Sequence, residues 1–186
     1  MKHYLSFIGL ILIIGILTQE YVALETDMLI VKEINISMNL TPDYNTSYVT
    51  IPDQREGVFG QMILINNTKD ENKTASLMII SFSDKSILEI EASEVLNYFK
   101  NIIFGAFKIG GAKEMESYNL TNRYNQNVTI HALLMPGSDN SKFSRLQYMG
   151  LWDFDKLNYF FIVSEDKNLT REIIESLDVK DPSIDE

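Results

Sequence analysis

The chain has 186 residues, 45% of them hydrophobic and 11% aromatic, which is the size of one domain plus extras with a sizeable core. Twenty-six acidic against sixteen basic side chains give a net charge of −10 with no Lys/Arg cluster, a surface that repels nucleic acid and anionic lipid. The absence of cysteine excludes disulfides, thiolate metal sites, lipid attachment at an N-terminal Cys and cysteine nucleophiles, and an exported protein of this kind fits a bacterium or archaeon.

Residues 1–24, MKHYLSFIGLILIIGILTQEYVAL, open with Lys2 and continue as an apolar run from Leu5 to Leu17. The run suits the core of a signal peptide and is shorter than the ~20 residues of a spanning helix. Tyr21 stands two positions before Ala23, where cleavage prefers a small residue, so the segment reads either as a signal peptide or as an uncleaved N-terminal membrane anchor. The rest is expected to form a single domain over residues 28–180 and an acidic tail over 181–186, with fraying from Val179 to Glu186.

Ile34, Ile36, Met38 and Leu40 alternate with Asn35, Ser37 and Asn39, the pattern of a strand with one wet face, which Thr41-Pro42-Asp43 ends. Tyr44 to Glu56 reads as an irregular connection with a short strand at Tyr48 to Ile51. Val58 to Ile65 and Ala75 to Phe82 read as strands around an exposed tip, NNTKDENKT. Ser86 to Lys108 is the strongest helical pattern. Around Phe99, the residues Leu88, Ala92, Val95, Leu96, Ile102, Ile103, Ala106 and Phe107 fall in one stripe, and Gly110 and Gly111 suit a left-handed stop. Its start lies at Ser86 or near Glu91.

Beyond it, Ser117 to Tyr124, Val128 to Met135, Ser144 to Asp153 and Leu157 to Ser164 are expected strands, with turns at PGSDNS and Asp153 to Lys156. Leu157 to Ser164 is apolar on both alternating faces, which places it at the centre of a sheet covered on both sides. The helix at 86–108 covers one side. A closing helix, Asn168 to Leu177, with Leu169, Ile173, Ile174 and Leu177 on one face, covers the other.

Three stretches carry a family resemblance. ISMNLTPDY (Ile36 to Tyr44) is similar to the opening strand of the Mog1/PsbP-like family, RLQYMGLWDFDKLNYFFIVSED (Arg145 to Asp166) to its late hairpin, and REIIESLDV (Arg171 to Val179) to its closing helix. The resemblance implies an α+β fold, an antiparallel β-sheet with helices packed on both faces (an α/β/α sandwich), behind the N-terminal hydrophobic leader. It implies a binding or accessory role and transfers no functional residue, because fold and function separate readily.

Chemistry is sparse. The sequence holds two histidines, His3 in the leader and His131 in VTIHALLM, so a zinc or copper site lacks ligands and a Ser–His–acid triad would have to use His131. Ser138 in PGSDNS reads as a turn residue, and GAFKIGG (Gly105 to Gly111) as a helix stop rather than a phosphate loop. The carboxylate pairs Asp70/Glu71, Glu114/Glu116, Asp153/Asp155 and Glu165/Asp166 are the residue types a hydrolase or a cation site would use. Tyr98, Tyr148 and Trp152 are candidates for a binding patch or for core.

Asn-x-Ser/Thr occurs eight times, at Asn35, Asn39, Asn45, Asn66, Asn72, Asn119, Asn127 and Asn168. From fifteen Asn and 25 Ser plus Thr, chance gives about two such triplets. The expectation is therefore an exported, N-glycosylated cell-surface domain without enzymatic activity, cofactor or metal. Its partner is a protein or cell-envelope component, and it touches the membrane only through the N-terminal segment. The alternatives are a secreted hydrolase using paired carboxylates and the ectodomain of a membrane-anchored sensor or adhesin.

Overall fold

A computed structural model describes residues 35–50, 58–70, 73–82, 92–136, 145–155 and 157–180. The expected leader, Ser86 to Glu91, Ser138 and the tail at 181–186 lie outside those residues. Among the described residues the fold is mixed α+β, antiparallel sheet with two helices.

Seven strands form the sheet: β2 (Tyr44–Thr50), β3 (Val58–Asn67), β4 (Thr74–Phe82), β5 (Lys113–Thr121), β6 (Asn127–Met135), β7 (Arg145–Asp153) and β8 (Asn158–Ser164). Their order is β2-β3-β4-β8-β7-β6-β5, every neighbouring pair antiparallel. β8 is the middle strand, as its two-faced apolar sequence requires. Phe160 and Ile162 enter one buried cluster and Phe161 and Val163 another, because successive side chains point to opposite faces.

Helix α1 (Ala92–Ile109) supplies Phe99 and Ile103 to the second cluster, with Leu96, Phe104 and Phe107 packed partly buried against it. Leu88, Ala92 and Val95 of the expected stripe fall outside the described side chains. The helix stops as its sequence implies. Gly111 sits at φ 85°, its N–H donates to the Lys108 carbonyl at 3.0 Å, and the Ala112 N–H reaches back to Phe107 at 2.9 Å. This pairing is a Schellman cap, and only glycine takes that φ without steric cost.

Helix α2 (Lys167–Ser176) belongs to the first cluster, where Leu169, Ile173, Ile174 and the following Leu177 are all buried. Its N-cap is Asp166, whose side chain accepts from the Leu169 N–H at 2.8 Å. Each large apolar side chain buried this way contributes about 1.5–3 kcal/mol before entropy is subtracted.

Four expectations need correction. The opening strand is short: β1 is Asn35–Ser37, outside the main sheet, and pairs antiparallel with β9 (Asp178–Lys180). Val179 and Lys180, expected to fray, therefore belong to a strand. Ile36, Met38 and Leu40 still pack against the first cluster while Ser37 and Asn39 stay exposed, so the alternation marked burial rather than pairing. Tyr44–Thr50 is a full edge strand rather than an irregular connection, held by pairing to β3 with Asn45 to Val49 exposed. A strand stabilised mainly by backbone hydrogen bonds leaves little hydrophobic alternation to read.

The fourth correction concerns β5, which starts four residues before the expected Ser117 and ends at Thr121. Lys113 to Ser117 are all exposed and the register shifts between Glu114 and Glu116, so neither polarity nor period marks a strand there. Asn122 to Gln126 form a turn instead. The Asn122 side-chain oxygen accepts from the Tyr124 and Gln126 N–H groups at 3.0 and 2.9 Å, and Asn125 takes φ 61°. That turn holds β9: the Tyr124 hydroxyl donates to Asp178 at 2.8 Å and accepts from the Val179 N–H at 2.8 Å, beside an Arg123–Asp178 ion pair at 3.1 Å.

Ile173 is fully buried, so Ile173→Ala should lower unfolding free energy by about 2–5 kcal/mol. Arg171→Ala, on the same helix but in an exposed pair with Glu175 at 3.9 Å, should change it by less than about 0.5 kcal/mol. Urea unfolding of both variants checks this; equal losses would contradict the placement of α2.

Candidate functional site

Most of the expected carboxylates that are described serve ion pairs, turns or caps. Glu114 and Glu116 flank the bulge in β5 and take different partners, His131 Nδ1 at 2.7 Å and Lys167 Nζ at 2.8 Å. Asp155 is a turn residue, its carboxylate accepting from the Leu157 and Asn158 N–H groups at 2.7 and 2.8 Å and from Asn158 Nδ2 at 2.7 Å. Glu165 pairs with Arg145 at 3.4 Å, while its neighbour Asp166 caps α2. Asp70 lies in the turn whose N–H groups Asn67 Oδ1 accepts, and Glu71 is outside the described residues. Among the described residues, no group of three His, Asp or Glu side chains is placed to hold a metal ion.

His131 has the most chemically suggestive surroundings. Its ring meets Phe104 of α1 edge-on at 4.5 Å, its Nδ1 bonds Glu114, and Ser117 faces it across the β5–β6 ladder. A carboxylate on Nδ1 orients an imidazole as in hydrolytic triads. The Ser117 hydroxyl, however, makes no hydrogen bond to His131 among the described residues, so the trio is a cross-strand neighbourhood rather than an assembled triad. The separation of Glu114 from Glu116 by the bulge was not readable, and neither was the approach of Ser117.

A second polar cluster sits where α2 meets β5. The Lys167 ammonium lies 4.5 Å from the Tyr118 ring centroid while bonding Glu116. The Tyr118 hydroxyl is buried without a hydrogen-bond partner among the described residues, and burial, then Tyr148 and Glu116, push its pKa up to about 12 against a smaller opposing effect of Arg171. Trp152, stacked on Phe160 at 5.3 Å, and Tyr148 are core residues; Tyr98 is exposed on α1.

The sequons are the candidate sites that the fold brings together. Asn39, Asn45, Asn66, Asn119, Asn127 and Asn168 are all exposed; the side chains of Asn35 and Asn72 are outside the description. Asn45 faces Asn66 across β2–β3. On β5–β6 two sequons run antiparallel to one another: Asn119 opposes Thr129, Thr121 opposes Asn127, and both Thr hydroxyls donate to the facing Asn Oδ1, at 3.0 and 3.3 Å. Asn45, Asn66, Asn119 and Asn127 therefore lie in the two outer strand pairs of the sheet.

No family model and no curated protein matches the chain. Among solved structures it is similar to the solution structure of cyanobacterial PsbP (CyanoP) from Synechocystis sp. PCC 6803, with a TM-score of 0.43 and 11% identity over 85% of this chain and 99% of that one.

Tyr118 and Tyr159 both have pKa values raised to about 12, burial being the first cause in each; Asp153 and Asp155 add to it at Tyr159. An unfolded phenol ionises near pH ~10. Above that pH the unfolded chain binds fewer protons than the folded one, so stability should fall as pH rises from about 10 towards 12 and be unaffected by these groups below it. Urea midpoints across that range should fall less steeply in Tyr118→Phe and Tyr159→Phe than in the parent; an unchanged slope in both would contradict the assignment.

Proposed function

We propose that the protein is an exported, N-glycosylated domain at a prokaryotic cell surface, archaeal in character, which acts by binding a protein or envelope component and not by catalysis. The observation that carries this reading is the exposure of all six sequon asparagines whose surroundings are described. A sugar needs its asparagine at the surface, and these sites meet that need from β2, β3, β5, β6, the start of α2 and the segment after β1. The number of sites, eight, favours modification over chance, since chance would give about two in the whole chain.

The disposition of charge supports a binding role. Glu114, Glu116, Asp155, Glu165 and Asp166 are each engaged by a histidine, lysine or arginine side chain or by backbone donors. The layering we infer is one helix against each face of the sheet, the α/β/α sandwich, which leaves the sheet margins and outer helix surfaces for a partner. The N-terminal segment is the export signal, and its fate distinguishes a released domain from an anchored ectodomain.

Cell fractionation tests export: the protein is expected in the medium or envelope fraction, and recovery in the cytosol without sugar would overturn the proposal. N-terminal sequencing of the recovered protein then decides between the two forms, a start near residue 24 for release and retention of the leader for anchoring.

A further inference from the structure

The placement of the sequons points to a purpose for two of them. We infer that glycans on Asn45 and Asn66 guard the open β2 edge of the sheet against pairing with a second copy of the chain. The inference rests on the N-glycosylation reading above and goes further by assigning what the sugars at one place do.

The two ends of the sheet are unequally protected. A terminal strand exposes a row of unpaired N–H and C=O groups that another strand can use, and proteins blunt such edges with charges, prolines, bulges or a cover. β5 has such devices: Lys113, Glu114 and Glu116 lie on it, and its register breaks between Glu114 and Glu116. Among the described residues β2 has none of them. Its sequence, YNTSYVT, contains no charge and no proline, and it pairs with β3 without interruption from Tyr44 to Thr50. Asp43, just before the strand, is engaged by Lys69 at 2.7 Å. Tyr48 and Val49 are 57% and 37% exposed, so the strand is apolar, and among the described residues only β3 pairs with it. Six- or seven-residue uncharged strands of this composition are the usual sites of edge-to-edge pairing.

What β2 and its neighbour do carry is a pair of sequons in register. Asn45 and Asn66 face each other across the ladder, and both are exposed. Ile63 and Ile65 of β3 belong to the cluster containing α2, so Asn66 and Asn45 lie on the other face of the sheet. Opposed residues there stand roughly 5 Å apart, so two branched sugars rise side by side next to the free edge. In the modification the Asn Nδ2 forms a bond to the anomeric carbon of a lipid-linked sugar phosphate, the lipid phosphate leaves with the bonding electron pair, and one amide proton goes to base. No hydrogen bond among the described residues engages either Nδ2.

The test uses the full chain expressed in a cell that N-glycosylates exported proteins, with site occupancy read by glycopeptide mass spectrometry and self-association by sedimentation equilibrium. Ser47→Ala with Thr68→Ala removes both sequons and keeps the asparagines; Asn119→Gln with Asn127→Gln is the comparison at the guarded edge. The parent and the β5–β6 variant should sediment as monomers, whereas the β2–β3 variant should rise to about twice the monomer mass or more. Adding Val49→Lys to that variant should restore the monomer by charging the edge. A monomeric β2–β3 variant, or a parent bearing sugars elsewhere but none at Asn45 and Asn66, would overturn the inference and leave the glycosylation reading standing. A parent with no sugar at any sequon would refute that reading itself, and the inference with it.

Discussion

The structure depends on one demand, that the central strand β8 be covered on both faces. Phe160 and Ile162 need apolar neighbours on one side, Phe161 and Val163 on the other, and a single layer cannot provide both. Leu169, Ile173 and Ile174 of α2 belong to the cluster of Phe160 and Ile162, and Phe99 and Ile103 of α1 to that of Phe161 and Val163; one helix against each face is the layering we propose. The chain order follows from it. β4 and β7 flank β8, so the segment between β4 and β5 must cross the strands between them, and an amphipathic helix makes that crossing while burying its apolar stripe. The remaining strands extend the sheet outward until burial gives out, at the exposed edge strands β2 and β5.

Legibility in the sequence follows the same gradient of burial. β8, α2 and the C-terminal stop of α1 were readable because packing or a left-handed glycine imposes a pattern on the residues themselves. β2 was missed except for its last residues, and the N-terminal half of β5 altogether, because an edge strand satisfied by backbone bonds constrains side chains weakly. The pairing of β1 with β9 joins residues 35–37 to 178–180, and the Tyr124 contacts that hold β9 come from a turn expected to be strand. A pairing so distant along the chain leaves no local signature.

The candidate sites divide in a similar way. Neighbouring acids in the sequence suggested convergence, yet a bulge sends Glu114 and Glu116 to different partners, and Asp155 and Asp166 serve a turn and a cap. On a regular strand Glu114 and Glu116, two apart, would share a face; the bulge between them is what gives them different partners. The sequons behave in the opposite sense. Each is a local motif visible in the text, but that Asn45 meets Asn66, and that the triplets at 119 and 127 face one another, emerges only from the register.

The central claim is that this fold works outside the cytoplasm carrying sugars. The intact mass of the protein isolated from its own cells tests it most directly. The account predicts a mass above that of the polypeptide by several glycan units, calculated from whichever N-terminus is found. A mass equal to that of the unmodified polypeptide from that N-terminus would contradict it.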